Sequence, residues 1–268
     1  MTTRTAYHRY VAIGDSSTEG LEDPLPNGEY RGWANRFAEH VAAAQPQPLL
    51  YANLAVRGRK THEVRNEQLA PALAMQPDLA TVFAGVNDVA RATCDITQVA
   101  ADLEFMLAAL RATGATVLTI TMPDLSEVLP LAKLMRTRLL ALNDLVRAAA
   151  ARTGAHCVDL ARHDITSDLR LWHPDRLHAN SEGHRRIAGA LAASIGIATT
   201  GPHWADPLPP KHPPTAVERV QAELTWASDY FLPWVWRHAR GISSGDHRSA
   251  KRPTLTPMPA ATSAPNGG

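Results

Sequence analysis

The chain is poor in cysteine, with Cys94 and Cys157 as its only two in 268 residues. Two cysteines are too few for a disulfide framework, so a buried apolar core has to hold the fold together. An excess of charge of either sign is also missing, because 27 Lys and Arg residues balance 26 Asp and Glu residues. This balance gives no electrostatic reason to expect nucleic acid or an anionic membrane as a partner.

Long apolar runs are absent as well. No stretch approaches the roughly 20 residues of a membrane-spanning helix, and the N-terminal MTTRTAYHRY lacks the apolar core of a secretory signal. We therefore expect a cytoplasmic protein without membrane contact; no feature indicates an oligomeric state. The overall composition, 45% hydrophobic and 20% charged residues, is ordinary for a globular protein. The length suffices for one core and an appendage.

Short apolar runs alternate with longer helical patterns between residues 8 and 195. The runs predict strands at 10–13, 49–56, 79–84, 116–121 and 156–160, and the patterns between and after them predict helices at 33–44, 61–75, 97–113, 131–152 and 181–195. Continuously apolar strands are typical of a parallel sheet covered by helices on both faces. The simplest topology for five such strands is a flavodoxin-like, doubly wound α/β order.

The composition changes after the predicted folded domain, residues 1–196. Residues 197–214 are rich in proline and predict a linker, whereas residues 215–242 predict a helical appendage crowded with aromatic side chains. Residues 243–268, rich in Ser, Pro, Ala and Gly, predict a disordered tail. We favour an appendage that packs on the domain with buried aromatics. A cover over a pocket, a dimer surface and a membrane contact are the alternatives.

Four polar segments follow predicted strands or precede the last helix, where doubly wound sheets bind ligands. They are GDSSTEG at 14–20, NLAVRG at 53–58, AGVND at 84–88 and DRLH at 175–178. Each alone has an ordinary structural explanation, such as a helix cap for Ser16 or an Asx turn at Asn87. Together they place a serine, close-approach glycines, an amide donor and a histidine three residues after an aspartate at one edge. That combination is typical of acyl transfer.

The four segments resemble the signature blocks of the SGNH/GDSL hydrolase superfamily, over about residues 8 to 195. The resemblance implies a three-layer α/β/α sandwich and a serine esterase or lipase that needs no metal or organic cofactor. It implies Ser16 as nucleophile, His178 as general base and Asp175 as the residue that orients His178. It further implies an oxyanion hole made by the N–H groups of Ser16 and Gly58 and the side-chain amide of Asn87.

The resemblance leaves the substrate open among small-molecule, glycan and lipid esters, because one fold serves many chemistries. A deacetylase of acetylated sugars, a thioesterase and an acyltransferase are the alternative enzymes on the same scaffold. A relative that binds a glycan or lipid without catalysis is the alternative outside enzymes.

Two competing motifs are rejected. Residues 241–245, GISSG, match the G-x-S-x-G nucleophile elbow, but that motif lies between a strand and a helix, and here an aromatic helix precedes it and a predicted disordered tail follows. His173, His178 and His184 do not have the spacing of a metal-binding frame, and no cysteine lies near them. Neither pattern therefore predicts a second active site or a metal centre.

Overall fold

A computed structural model describes residues 6–91, 93–126, 132–212, 215–233, 236, 240 and 243–258. Within them the strands are β1 (Arg9–Gly14), β2 (Leu50–Asn53), β3 (Leu79–Phe83), β4 (Thr116–Ile120), β5 (His156–Val158) and β6 (Arg252–Pro257). The α-helices are α1 (Ser16–Glu19), α2 (Gly32–Ala43), α3 (Thr61–Ala74), α4 (Val86–Val89), α5 (Ile96–Ala112), α6 (Lys133–Thr153), α7 (Ser181–Ser194) and α8 (Ala216–Trp226). No described helix is long and apolar enough to cross a membrane.

The strands form one mixed sheet in the order β5-β4-β3-β1-β2-β6. The first five pair in parallel, which confirms the flavodoxin-like order. Side chains of β1 alternate between the faces: Tyr10 and Ala12 enter one apolar core, and Val11 and Ile13 enter the other. Helices α2 and α7 cover the first face, and α3, α5 and α6 cover the second. The result is the expected three-layer α/β/α sandwich, with β1 buried at its centre.

The sixth strand corrects the prediction of a disordered tail over residues 243–268. β6 pairs antiparallel with β2, with Leu50 opposite Pro257 and Tyr51 opposite Thr256, and Met258 joins the core. The prediction is wrong for residues 243–258, whereas 259–268 lie outside the described residues. An unpaired edge strand leaves a row of backbone donors and acceptors without partners. β6 pairs with this edge of β2, and its threonines have a high strand propensity. Its prolines are tolerated because β6 is itself an edge.

The segment between the domain and β6 lies against the domain. Within the predicted linker, Ile197 is buried in the core, and the carbonyls of Trp204 and Asp206 accept hydrogen bonds from Arg186. The predicted appendage forms α8, followed by a π-helical turn at Ala227–Phe231. It contacts the domain, but its described aromatic side chains stay half-buried or exposed. The remaining aromatic of that segment, Trp234, lies outside the described residues.

The backbones of Gly20 and Gly32 touch, and this contact sets how α2 begins beside α1. A Cβ on Gly20, where φ is +99°, would lie 2.5 Å from the Cα of Gly32. Gly28 also has a positive φ, of +81°, yet a Cβ there would meet nothing within 4 Å. Gly20 and Gly28 therefore share a backbone conformation that L-residues rarely adopt. Only Gly20 has another backbone segment close enough to collide with a Cβ.

We expect Gly28→Ala to lower the free energy of unfolding by about 1–2 kcal/mol, the ordinary cost of left-handed backbone for an L-residue. Gly20→Ala should lower it by clearly more, because it adds a backbone collision that no side-chain movement relieves. Urea denaturation of both variants measures the difference. Equal losses would contradict the close approach of residues 20 and 32.

Candidate active site

The turn between β1 and α1 places Ser16 at the carboxyl edge of the central strand. A Cβ on Gly14 would lie 2.3 Å from the carbonyl oxygen of Phe83, so only glycine fits there. The side chain of Gln68 holds both backbone groups of Gly14, at 2.8 and 2.9 Å. Asp15 then caps α1 by accepting a hydrogen bond from the N–H of Ser17. Ser16 is thus the first helical residue on a rigid, sharply turned backbone.

Ser16, His178 and Asp175 form one continuous chain of hydrogen bonds. The Nε2 of His178 lies 2.9 Å from the Oγ of Ser16, although the residues are 162 positions apart. The Nδ1 of His178 lies 2.7 Å from Oδ2 of Asp175. The other oxygen of Asp175 accepts the backbone N–H groups of Leu177 and His178, at 2.9 and 3.0 Å. With a proton on Nδ1, the Nε2 lone pair faces the serine hydroxyl.

Opposing effects set the charges of this chain. Burial by itself would lower the pKa of His178, but the hydrogen bond to Asp175, together with the charges of Asp175, Asp15 and Glu22, raises that pKa above the usual value. Burial by itself would raise the pKa of Asp175, yet its bonds to His178 and to two backbone N–H groups hold the pKa at about 2. Asp175 therefore stays a carboxylate, and the site stabilises the imidazolium form of His178.

A buried carboxyl group, that of Asp15, immediately precedes Ser16, and the sequence argument missed it. Asp15 is 1% exposed. Burial raises the pKa of its carboxyl group to about 7, and the hydrogen bond from the Ser17 N–H opposes only part of that rise. The amide nitrogen of Asn87 donates to the carbonyl of Arg59 at 3.0 Å and lies 3.5 Å from Oδ2 of Asp15. Asn87 is thus held in the pocket beside Ser16. The signal for Asp15 was its place between Gly14 and Ser16.

The loop after β2 brings Gly58 to the same pocket. The backbone N–H of Arg57 donates to Glu19 at 2.7 Å, and the guanidinium of Arg57 forms an ion pair with the same carboxylate. Gly58 itself has a φ of +76°. Among the described residues, neither the Ser16 nor the Gly58 backbone N–H donates a hydrogen bond. Both groups are therefore available to a ligand.

The loop before β6 closes over Gly58, which the sequence argument also missed. A Cβ on Gly58 would lie 2.4 Å from Oγ of Ser243 and 3.1 Å from Oγ of Ser244, and both serines line the pocket. They belong to the rejected GISSG segment, whose residues 241 and 242 lie outside the described chain. The next element after them is β6 rather than a helix, so they do not stand on a nucleophile elbow.

The pocket at Ser16 and His178 has a volume of about 490 Å³. Most of its lining is apolar and includes Phe83, Ile120, Met122, Leu171 and Trp172. A pocket of this size and character accepts a small molecule with a substantial apolar part.

The three histidines that were weighed as metal ligands do not form a group that could hold one ion within the described part of the chain. His184 accepts the N–H of Trp33 and bonds the carbonyl of Leu21; its burial lowers its pKa to about 4 and keeps it neutral. His173 lies 3.2 Å from the carboxylate of Glu22. In the described residues, the set with ligand atoms close enough for an ion is Glu22, Asp175 and His178, within 4.8 Å. Both ring nitrogens of His178 are already engaged, so an ion there would break the chain to Ser16.

A family model described as the GDSL-like lipase/acylhydrolase family matches residues 12–186. No curated protein matches the chain. Among solved structures, LAE5, an alpha/beta hydrolase enzyme from the metagenome of Lake Arreo in Spain, is 25% identical, with a TM-score of 0.59 over 72% of this chain and 97% of its own.

Two further structures share the fold at lower identity. A catalytic mutant of Axe2, an acetylxylan esterase from Geobacillus stearothermophilus, is 18% identical, with a TM-score of 0.60 over 76% of this chain and 99% of its own. The lipase/acylhydrolase from Enterococcus faecalis is 20% identical, with a TM-score of 0.58 over 70% and 95%. These proteins are matched almost completely, whereas about a quarter of this chain or more has no counterpart in them.

Removing the charge of Glu22 is expected to lower the pKa of His178. A nearby carboxylate stabilises the imidazolium, so its loss makes the ring easier to deprotonate. We expect Glu22→Gln to move the NMR titration midpoint of the His178 ring to lower pH, and Asp175→Asn to move it further. Glu29→Gln is the control, because Glu29 lies exposed in the same loop and bonds Asn27. An unchanged midpoint in Glu22→Gln would exclude Glu22 from the electrostatics of the base.

Proposed function

The chain belongs to the GDSL-like lipase/acylhydrolase family, and from that membership we propose that it cleaves carboxylic esters through a Ser16–His178–Asp175 triad and an acyl-enzyme intermediate. That it is a hydrolase acting on ester bonds follows from the family and the esterases that share its fold. The observation that supports the triad is the unbroken hydrogen-bonded chain from Ser16 Oγ through His178 to Asp175.

In the first step, Nε2 of His178 removes the hydroxyl proton while Oγ of Ser16 attacks the ester carbonyl. The imidazolium that forms is stabilised by Asp175, whose low pKa keeps it charged throughout. His178 then donates the proton to the departing alcohol, which leaves an acyl group on Ser16. In the second step His178 takes a proton from a water molecule as the water attacks the acyl carbon, and returns it to Oγ of Ser16 as the bond from Oγ to the acyl group breaks and the acid leaves. The raised pKa of His178 suits the acid half of this cycle.

The oxyanion is bound by the N–H groups of Ser16 and Gly58 and the amide of Asn87. The two backbone N–H groups have no competing acceptor among the described residues. Asn87 keeps one amide hydrogen on the Arg59 carbonyl, and its second contact, at 3.5 Å to Asp15, is long enough to be exchanged for a substrate oxygen. Removing one such donor typically costs about 10²–10³ in turnover.

The substrate is an ester with an apolar part. The mostly apolar lining around Ser16 favours such an ester over an acetylated sugar, whose apolar part is only a small acetyl group. A thioesterase and an acyltransferase use the same triad, and they differ in the leaving group and in the acceptor that takes the acyl group from Ser16.

Ser16→Ala is expected to lower kcat/KM for p-nitrophenyl acetate by at least about 10³-fold, because the acyl-enzyme has no other attachment point. It should also abolish labelling by a fluorophosphonate probe, which reacts only with an activated serine. Circular dichroism and thermal unfolding should stay close to wild type.

Ser17→Ala is the matched control, since the hydroxyl of Ser17 accepts a hydrogen bond from the Trp33 indole at 3.1 Å and does not touch His178. It should keep activity and labelling. Full activity of Ser16→Ala, or a wild-type protein that the probe does not label, would exclude the proposed nucleophile.

A further inference from the structure

The segment after the family domain reaches back to the turn that carries the catalytic base. The indole Nε1 of Trp226 donates to the backbone carbonyl of Asp175 at 3.1 Å. Arg176, next in that turn, forms an ion pair with Glu223 at 2.8 Å, and its guanidinium lies 5.0 Å from the Trp226 ring centroid. Tyr230 packs edge-on against His173, with ring centroids 5.8 Å apart. Contacts to the turn thus come from α8 and from the π-helical turn after it.

The same segment supplies one wall of the pocket. Trp226, Tyr230 and Phe231 line the cavity that contains Ser16 and His178. Trp226 and Phe231 stack on each other, with ring centroids 5.3 Å apart and planes 18° apart. The hydrophobic residues on the rest of α8, such as Val220 and Leu224, are exposed instead. The aromatic cluster therefore faces the catalytic pocket, and it lies outside the part of the chain that the family model matches, residues 12–186.

The proposed reaction determines which part of the ester, the alcohol or the acyl group, contacts this wall. His178 has to protonate the departing oxygen, so the alcohol leaves past Nε2 of His178, while the acyl group stays on Ser16. Trp226 and Tyr230 contact the backbone and side chains immediately around His178, at Asp175 and His173. Glu22 and Asp229 also line the cavity, but so do Arg91 and Arg186, so its charges do not assign a sign to the leaving group.

We propose that Trp226, Tyr230 and Phe231 form a leaving-group subsite that selects esters of bulky, apolar alcohols such as aryl alcohols. This inference rests on the proposed esterase function. It assigns alcohol specificity to the C-terminal extension, by which we mean the described residues after 196, and leaves the acyl group to the rest of the lining. Aromatic side chains contribute large apolar contact areas at little conformational cost, so the gain should be greatest for a ring-bearing alcohol.

The test compares two ratios of kcat/KM in the full-length protein. The first ratio, 2-naphthyl acetate over ethyl acetate, varies only the alcohol; the second, p-nitrophenyl butanoate over p-nitrophenyl acetate, varies only the acyl group. Comparing each ratio between variants cancels the intrinsic reactivity of the esters. Tyr230→Ala and Trp226→Ala should lower the alcohol ratio about tenfold or more, the usual effect of lost apolar contacts in a pocket. The acyl ratio should change by less than twofold.

Three further variants separate binding from positioning and from misfolding. Trp226→Phe removes the bond to the Asp175 carbonyl but keeps a ring, so it should retain most of the alcohol ratio. Tyr230→Leu keeps apolar volume and should recover part of the ratio if Tyr230→Ala folds poorly. Trp236→Ala is the matched control, because Trp236 is 53% exposed and does not line the pocket. It should behave as wild type in both ratios.

An acyl ratio that falls in place of the alcohol ratio would overturn the assignment to the leaving-group side. An equal loss for all four esters would mean that the extension only positions the catalytic turn, which also overturns it. Fluorophosphonate labelling is measured in parallel. A wild-type protein that does not label points to failure of the proposed esterase mechanism itself, whereas labelling with unchanged ratios rejects the subsite alone.

Discussion

The contact between the imidazole of His178 and the hydroxyl of Ser16 is the interaction on which the other features of the site depend. It joins the end of the first strand to the turn before the last helix of the domain, 162 residues apart. Its 2.9 Å length requires α7 to lie at a fixed distance from β1. The buried, neutral His184 helps to set that distance, because it bonds the start of α2 through the Trp33 N–H and the loop after α1 through the Leu21 carbonyl. A histidine outside the proposed triad thus helps to position the histidine within it.

Three carboxyl groups lie around this contact, and each is restrained differently. Asp175 is held charged by three hydrogen-bond donors, whereas Asp15 lies in the core, where burial raises its pKa to about 7. Glu22 faces the base from the loop after α1 and lies 3.2 Å from Nε2 of His173. The field of these groups stabilises an imidazolium, the charge state that the proposed attack by Ser16 produces. Electrostatics and geometry therefore favour the same step.

The C-terminal extension packs against the domain in two places. One part, β6, satisfies the open edge of β2 and brings Ser243 and Ser244 over Gly58. Another part, α8 with the turn that follows, bonds the loop of Asp175 and Arg176. The solved relatives are matched over nearly their whole length without accounting for the full chain. Residues outside the part of the chain that the family model matches, such as Trp226 and Ser243, thus line its pocket.

The sequence by itself determined what depends on neighbours along the chain. Continuous apolar runs located β1 to β5, because burial on both faces demands apolar side chains at successive positions. The Asp175–His178 pair could be predicted because a three-residue turn brings the two side chains together locally. The antiparallel β6, the high pKa of Asp15 and the pocket contacts of Ser243 and Trp226 were decided only by the tertiary structure. Each depends on a sheet edge, a degree of burial or a surface that residues distant in the chain create. The local composition of a proline-rich or serine-rich segment does not specify which of these surfaces it will contact.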